Sequence, residues 1–153
     1  MIDQYYSHPE QLNNDADELD PSRVYVIAKS GVELTPRQIN TLAENITYAY
    51  NYARNVLKGP FPEGEDAISE DARHAFYYAN TVLKGPWPKG EDVISKSAQY
   101  AYQYAHDILR NPWPKGEGAI AKDAKYAGIY AQYVLKLPAE QEEQWRAKVN
   151  GSV

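Results

Sequence analysis

Three glutamates recur in register along the chain, Glu65, Glu91 and Glu117, and Asp66 and Asp92 follow the first two. Carboxylates set in pairs can share the work of general acid and general base, or of acid and nucleophile. Each of these acids also opens a stretch that reads as a short helix, where the positive end of the helix dipole favours a negative charge. The structural role is the stronger reading. Other chemistry-bearing residues are few. His8, His74 and His106 lack the His-x-x-x-His spacing of a metal-binding pair, and the chain has no Cys, which removes thiolate ligands, disulfides and cysteine nucleophiles. His74 stands in a register position held elsewhere by Tyr48, Tyr100 and Tyr126, as a replacement for a packing tyrosine. His106 and Asp107 are sequence neighbours, a spacing that does not set two side chains on one helix face. Residues 13–18 lack the Gly and the distal Glu of a calcium loop. No nucleophile elbow, phosphate loop or dinucleotide fingerprint occurs. The expectation is a protein that is not an enzyme, with no catalytic residue, no cofactor and no metal.

Binding is better served than catalysis. The chain holds 14 Tyr against 2 Phe and 3 Trp, and tyrosine suits half-buried packing positions or a contact surface. Tyr48/Tyr52, Tyr100/Tyr104 and Tyr126/Tyr130 are four apart and share a helix face. Tyr50, Tyr77, Tyr102 and Tyr133 point elsewhere, and Tyr77 and Tyr102 are the candidate partner-binding tyrosines. A second candidate set is acidic. Residues 1–22 contain Asp3, Glu10, Asp15, Asp17, Glu18 and Asp20 with no Lys or Arg, so a net charge of −5 leaves +1 for the rest. Asp15, Asp17, Glu18 and Asp20 could meet a basic partner. A nearly neutral body does not supply a phosphate footprint, so direct nucleic-acid binding is not expected. An aromatic, charge-poor surface fits a protein partner.

The elements that must carry these residues repeat every 26 positions. Gly59-Pro60-Phe61-Pro62-Glu63-Gly64-Glu65, Gly85-Pro86-Trp87-Pro88-Lys89-Gly90-Glu91 and Asn111-Pro112-Trp113-Pro114-Lys115-Gly116-Glu117 are copies of one connector. Between them run columns of constant type: Leu42, Ile68, Ile94, Ile120; Ala49, Ala75, Ala101, Ala127; Tyr52, Tyr78, Tyr104, Tyr130; and Ala53, Ala79, Ala105, Ala131. Ala72, Ala75, Ala79, Val82 and Leu83 follow the 3.6-residue period of an amphipathic helix. Ser69 and Ser95 are placed to cap the long helices. Gly59, Gly85 and Asn111 are placed to take the left-handed conformation at their ends. Pro62, Pro88 and Pro114 suit the first position of a short helix, and the Phe61, Trp87, Trp113 series is expected to pack one connector over the next. A fixed period of this size implies stacked units that bury their apolar faces on one another. The fold expected is all-α: an α-solenoid of about four short-helix/long-helix repeats with an irregular acidic N-terminal segment, right-handed by analogy with other helix-pair repeats.

Three regions follow. Residues 1–32 form the acidic leader and a short β-prone apolar strip, Val24-Tyr25-Val26-Ile27, lying on the first repeat; 33–146 form the helical-repeat domain; 147–153 form a tail. Leu137-Pro138 starts a fifth short helix through Trp145, whose Glu140, Glu142 and Glu143 make it polar enough to cap the array.

The pattern Ala-x-x-Tyr-Ala-x-x-Val-Leu-Lys-Gly-Pro-Trp-Pro-x-Gly-Glu-x-x-Ile, over about residues 42–137, resembles short tyrosine/alanine-rich helical repeats in uncharacterised bacteriophage and bacterial proteins. Its fold logic is similar to that of tetratricopeptide units, whose period is longer at ~34 residues. The resemblance implies a helical array and a phage origin, and carries over no site residues. The function expected is a non-enzymatic repeat protein that binds another protein. The alternative is a phage-encoded inhibitor of a host nucleic-acid-processing or defence complex, with the acidic leader as a DNA mimic. No apolar run reaches the ~20 residues of a membrane span, and no signal peptide opens the chain, so the location expected is cytoplasmic, in the host if phage-encoded.

Overall fold

The computed structural model describes residues 20–151 of the chain. All regular structure among them is helical, with no strand. The chain divides into two compact units, Met1–Ile68 and Ser69–Val153.

The first unit holds α1 (Pro21–Lys29), α2 (Pro36–Ala43), α3 (Ile46–Tyr52) with a π-helical extension (Ala53–Leu57), a 3-10 turn (Pro62–Gly64) and α4 (Glu65–Ile68). Helix α1 replaces the β-prone strip expected at Val24–Ile27. Local boundary chemistry overrides the strand propensity of Val and Ile. The Asp20 carboxylate accepts the Ser22 and Arg23 amides, and a proline follows it inside the first turn. Val24, Ile27 and Ala28 then fall at i, i+3 and i+4, are buried, and pack on α2 and α3. The apolar residues do lie over the first repeat, as helix rather than strand. Thr35 and Gln38 form a reciprocal capping box at the start of α2.

The second unit holds α5 (Ala72–Tyr77) with a π extension (Tyr78–Leu83), α6 (Pro88–Ile94), α7 (Ala98–Gln103) with a π extension (Tyr104–Leu109), α8 (Pro114–Ile120), α9 (Ala124–Tyr133) and α10 (Ala139–Asn150). Helix α5 packs on α6 and α7, α7 on α8 and α9, and α9 on α8 and α10. Helix α10 runs past Trp145 and closes the unit. The Trp145 ring packs 5.4 Å from that of Tyr130, and the Arg146 and Asn150 side chains both donate to the Ala121 carbonyl.

Both ends of the long helices differ from the sequence expectation. The caps are Asn45, Asp71, Ser97 and Asp123, each accepting a backbone amide in the first turn. They lie two positions beyond the column of Ser69 and Ser95. Ser95 instead closes α6, its hydroxyl donating to the Asp92 carbonyl. At the other end the left-handed residues are Lys58, Lys84, Arg110 and Lys136, with φ between 52° and 57°, not Gly59, Gly85 and Asn111. Each of those three precedes a proline, which forces an extended backbone on its predecessor. The reversal therefore moves back onto a lysine or arginine, at a steric cost of about 1 kcal/mol each. The amide of each left-handed residue in the first three copies and that of its successor then converge on one buried alanine carbonyl, Ala53, Ala79 or Ala105. That wide closure is the π-turn.

The core is built from the constant columns. Leu42, Ile68, Ile94, Ile120 and Ala49, Ala75, Ala101, Ala127 have no exposed surface. The connector aromatics are buried. Each ring lies over the glycine three residues on in its own connector: a β-carbon at Gly90 would stand 2.4 Å from Trp87 Cε3, and one at Gly116 would stand 2.6 Å from Trp113 Cε3. The same glycines approach the alanine column, with the Gly116 position 2.9 Å from Ala101 Cβ. Glycine is required there by space, since its φ is not positive.

Candidate functional site

The in-register glutamates have a structural task that sequence reasoning missed. Tyr104 is fully buried. Its ring packs 4.8 Å from Trp113, in the following connector. Its hydroxyl reaches the preceding one, accepting the Trp87 amide at 2.8 Å and donating to Glu91 Oε1 at 3.0 Å. Tyr130 repeats the arrangement, accepting the Trp113 amide at 2.8 Å and donating to Glu117 Oε1 at 2.8 Å. Each tyrosine thus clasps two successive segments, and each glutamate is the acceptor that its hydroxyl needs. Burial pushes the Tyr104 hydroxyl up to about 12; the Trp87 amide draws it down and the Glu91 carboxylate pushes it up again. Tyr130 is raised by the same causes. Both hydroxyls stay protonated donors at neutral pH, sealed from any substrate. The helix-dipole reading of Glu91 and Glu117 holds as well, since both lie in a first turn.

A different set of tyrosines reaches the surface of the second unit. Tyr77 packs against Phe76 at 5.3 Å and Tyr100 at 6.4 Å. Tyr102 packs against Tyr126 at 6.2 Å and the His106 ring at 5.5 Å. The two groups adjoin at Tyr100. Burial raises its hydroxyl above the ordinary value, Tyr77, Asp71 and Tyr126 add to the effect, and Arg73 opposes it. Tyr102 is raised by burial first, then by Asp107 and Tyr133. Helices α5, α7 and α9 therefore present one aromatic surface. Tyr77 and Tyr133 are its most open members, 37% and 55% exposed. Lys125 lies over the Tyr126 ring, 5.2 Å from its centre. The structure brings the two tyrosines singled out in the sequence, Tyr77 and Tyr102, onto this surface and adds Tyr100, Tyr126 and Tyr133. The 26-residue register already held Tyr100 and Tyr126 in one column with Tyr48, which was the available signal.

The acidic candidates divide. Asp20 caps α1, and the Ser22 hydroxyl and the Ser22 and Arg23 amides hold its carboxyl below the usual range. Asp15, Asp17 and Glu18 lie outside the described residues. His74 does more than replace a tyrosine. Its ring nitrogen lies 2.6 Å from the Asp71 carboxylate that caps α5. Burial alone would raise Asp71, but the hydrogen bonds from the His74 amide and ring keep it below its usual value. His106 and Asp107 also meet, at 2.6 Å, against the expectation from their adjacency. Both are exposed in the π-helical turn that ends α7. Among the described residues no three His, Asp or Glu side chains are grouped to hold a metal ion, and no helix is long and apolar enough to cross a membrane.

No family model matches the chain, and comparison with curated proteins and with solved structures finds no match either.

Proposed function

We propose that the chain is a non-enzymatic helical-repeat protein that binds another protein through the tyrosine surface of α5, α7 and α9, its repeats stacked as an α-solenoid. The observation that supports this is the gathering of Tyr77, Tyr100, Tyr102, Tyr126 and Tyr133 on one surface while the remaining chemistry is locked in the clasps. Tyrosine gives large, rigid contact area with a polar tip, and aromatic residues anchor protein interfaces. The inward columns of the repeat are constant and satisfy the fold; the surface tyrosines pack on one another and leave Tyr77 and Tyr133 open to solvent. Affinity purification from the natural host tests the reading. Wild-type protein should capture a defined partner that the Tyr77→Ala/Tyr102→Ala double variant loses while its circular dichroism spectrum shows that it is still folded. Equal capture by both would refute the assignment of the surface.

A second reading draws on charge. Six acids and no base in residues 1–22, beside a body of +1, suit a phage-encoded inhibitor that occupies the basic channel of a host nucleic-acid-processing or defence complex, in the host cytoplasm. Neutralising Asp15, Asp17 and Glu18 should then abolish partner binding and its salt dependence, whereas on the first reading it changes neither. Asp20 is unsuitable for that test, because its loss would also uncap α1.

A further inference from the structure

We infer that the second unit carries a separate docking groove for an acidic, extended segment of a protein partner, lined by Lys96, Lys115 and Lys122. The groove holds about 510 Å³ and is bounded by the end of α6, the start of α7 and the outer side of α8, with Ala98 and Ala119 among its lining. Its three ammonium groups come from three different segments. Lys115 reaches Asp92 at 2.6 Å and Glu91 at 3.9 Å. Lys96 and Lys122 form no ion pair among the described residues and are exposed. Asp92 offsets the Lys115 charge and also feels Lys96, so the groove keeps only part of its positive charge. A ligand that brings negative charge gains contacts with Lys96 and Lys122 that no ion pair occupies. The lysines are also no requirement of the repeat. One period before Lys89 and Lys96 the chain has Glu63 and Glu70, so these columns change sign between copies while the core columns stay constant.

Charge complementarity selects the occupant. The groove has no arginine fork to hold a phosphate in two-point fashion, and the unit as a whole lacks the charge excess that a nucleic-acid backbone requires. Rotatable lysines over a small-residue lining suit spaced Asp and Glu side chains on an extended chain. The inference rests on the protein-binding reading above, but none of the surface tyrosines lines the groove, so the two can fail separately.

The test is a titration of the full chain with a fluorescein-labelled Asp/Glu-rich decapeptide, followed by anisotropy at low and at physiological salt. Binding should weaken with salt and fall by about tenfold or more in Lys96→Glu/Lys122→Glu, a loss of the size expected for two reversed charges. Lys29→Glu, on α1, should change it by less than about twofold, and Tyr77→Ala/Tyr102→Ala should leave it unaltered. Both groove lysines are exposed, and an unchanged circular dichroism spectrum confirms that the fold survives. The inference is overturned if the peptide does not bind, if Lys29→Glu weakens it as much as either groove lysine, or if a single-stranded oligonucleotide of equal charge binds as tightly. Should the groove fail while the tyrosine variant still loses its captured partner, the groove alone is wrong.

Discussion

Replacing Ala101 by leucine probes the packing where it has least room to adjust. Ala101 has no exposed surface, and its methyl faces Gly116, at a site where even one added carbon on that glycine would come within 2.9 Å. Leucine adds three carbons. If space existed, burying them would stabilise the fold by about 0.8 kcal/mol each. It does not: the opposing surface is the backbone of α8, itself pinned under the Trp113 ring. The overpacking cost, about 1–3 kcal/mol, should therefore dominate. With a urea dependence of about 2 kcal/mol per molar, a loss of 2 kcal/mol lowers the midpoint by about 1 M. Gln103→Leu is the matched control. Gln103 is half-buried, and its carbonyl oxygen is buried without a hydrogen-bond partner, so leucine removes an unsatisfied group and should keep or raise the midpoint. Circular dichroism during urea unfolding reads both. If repeats stabilise one another through their interfaces, the Ala101→Leu loss should also appear as faster amide exchange in α6 and α9. Equal midpoints for the two variants would refute this account of the α7–α8 contact.

Tyr104→Phe should cost about 1–3 kcal/mol, because it orphans the buried Trp87 amide, whereas Glu91→Gln, which retains an acceptor, should cost less; urea midpoints compare them. Stability should fall as pH rises from about 10, the model-peptide tyrosine value, towards 12, since the unfolded chain releases protons that folded Tyr104 retains up to about 12; thermal melts should show this decline reduced in Tyr104→Phe. Lys84→Gly should leave the fold intact and raise stability by a few tenths to about 1 kcal/mol by relieving the left-handed strain at φ 56°, again read by urea midpoint. An unchanged or lower midpoint would show that the π-turn prefers a side chain at that position.

The helical repeat was legible because its columns obey a single period. Ile94, Ala101 and Tyr104 recur one repeat later as Ile120, Ala127 and Tyr130, and all six are buried. The boundaries were less legible, and for definite reasons. A serine at position 69 or 95 and an aspartate at 71 are equally good caps by type, and only the true first turn decides between them. The glycine before each proline looks like a left-handed terminator, but the proline is the stronger constraint and displaces the reversal by one residue. The strip at 24–27 was read only as β-prone and apolar, from its β-branched residues at 24, 26 and 27, although the capping aspartate and following proline that make it a helix were already visible in the sequence.

The clasp was hidden for a different reason. Tyr104 and Glu91 are 13 residues apart, and nothing in helical spacing brings them together; their bond exists only because α6 folds back beside the long helix. Once that contact is known, two ambiguous signals separate. In the column of Tyr52, Tyr78, Tyr104 and Tyr130, the last two answer with Glu91 and Glu117 to the same buried geometry, so the recurrence of these pairs is explained by folding and gives no ground for acid–base chemistry. The tyrosines outside that column, at 77, 102 and 133, take no part in the clasp. Their positions vary from copy to copy: Tyr77 is matched by Asn51, Gln103 and Ile129, and Tyr102 by Tyr50, Phe76 and Gly128. The Tyr102 column is buried in two earlier copies, at Tyr50 and Phe76, but the Tyr77 column accepts residues of very different size and is not fixed by packing. An aromatic ring kept there at the surface is what the proposed contact with a protein partner would use.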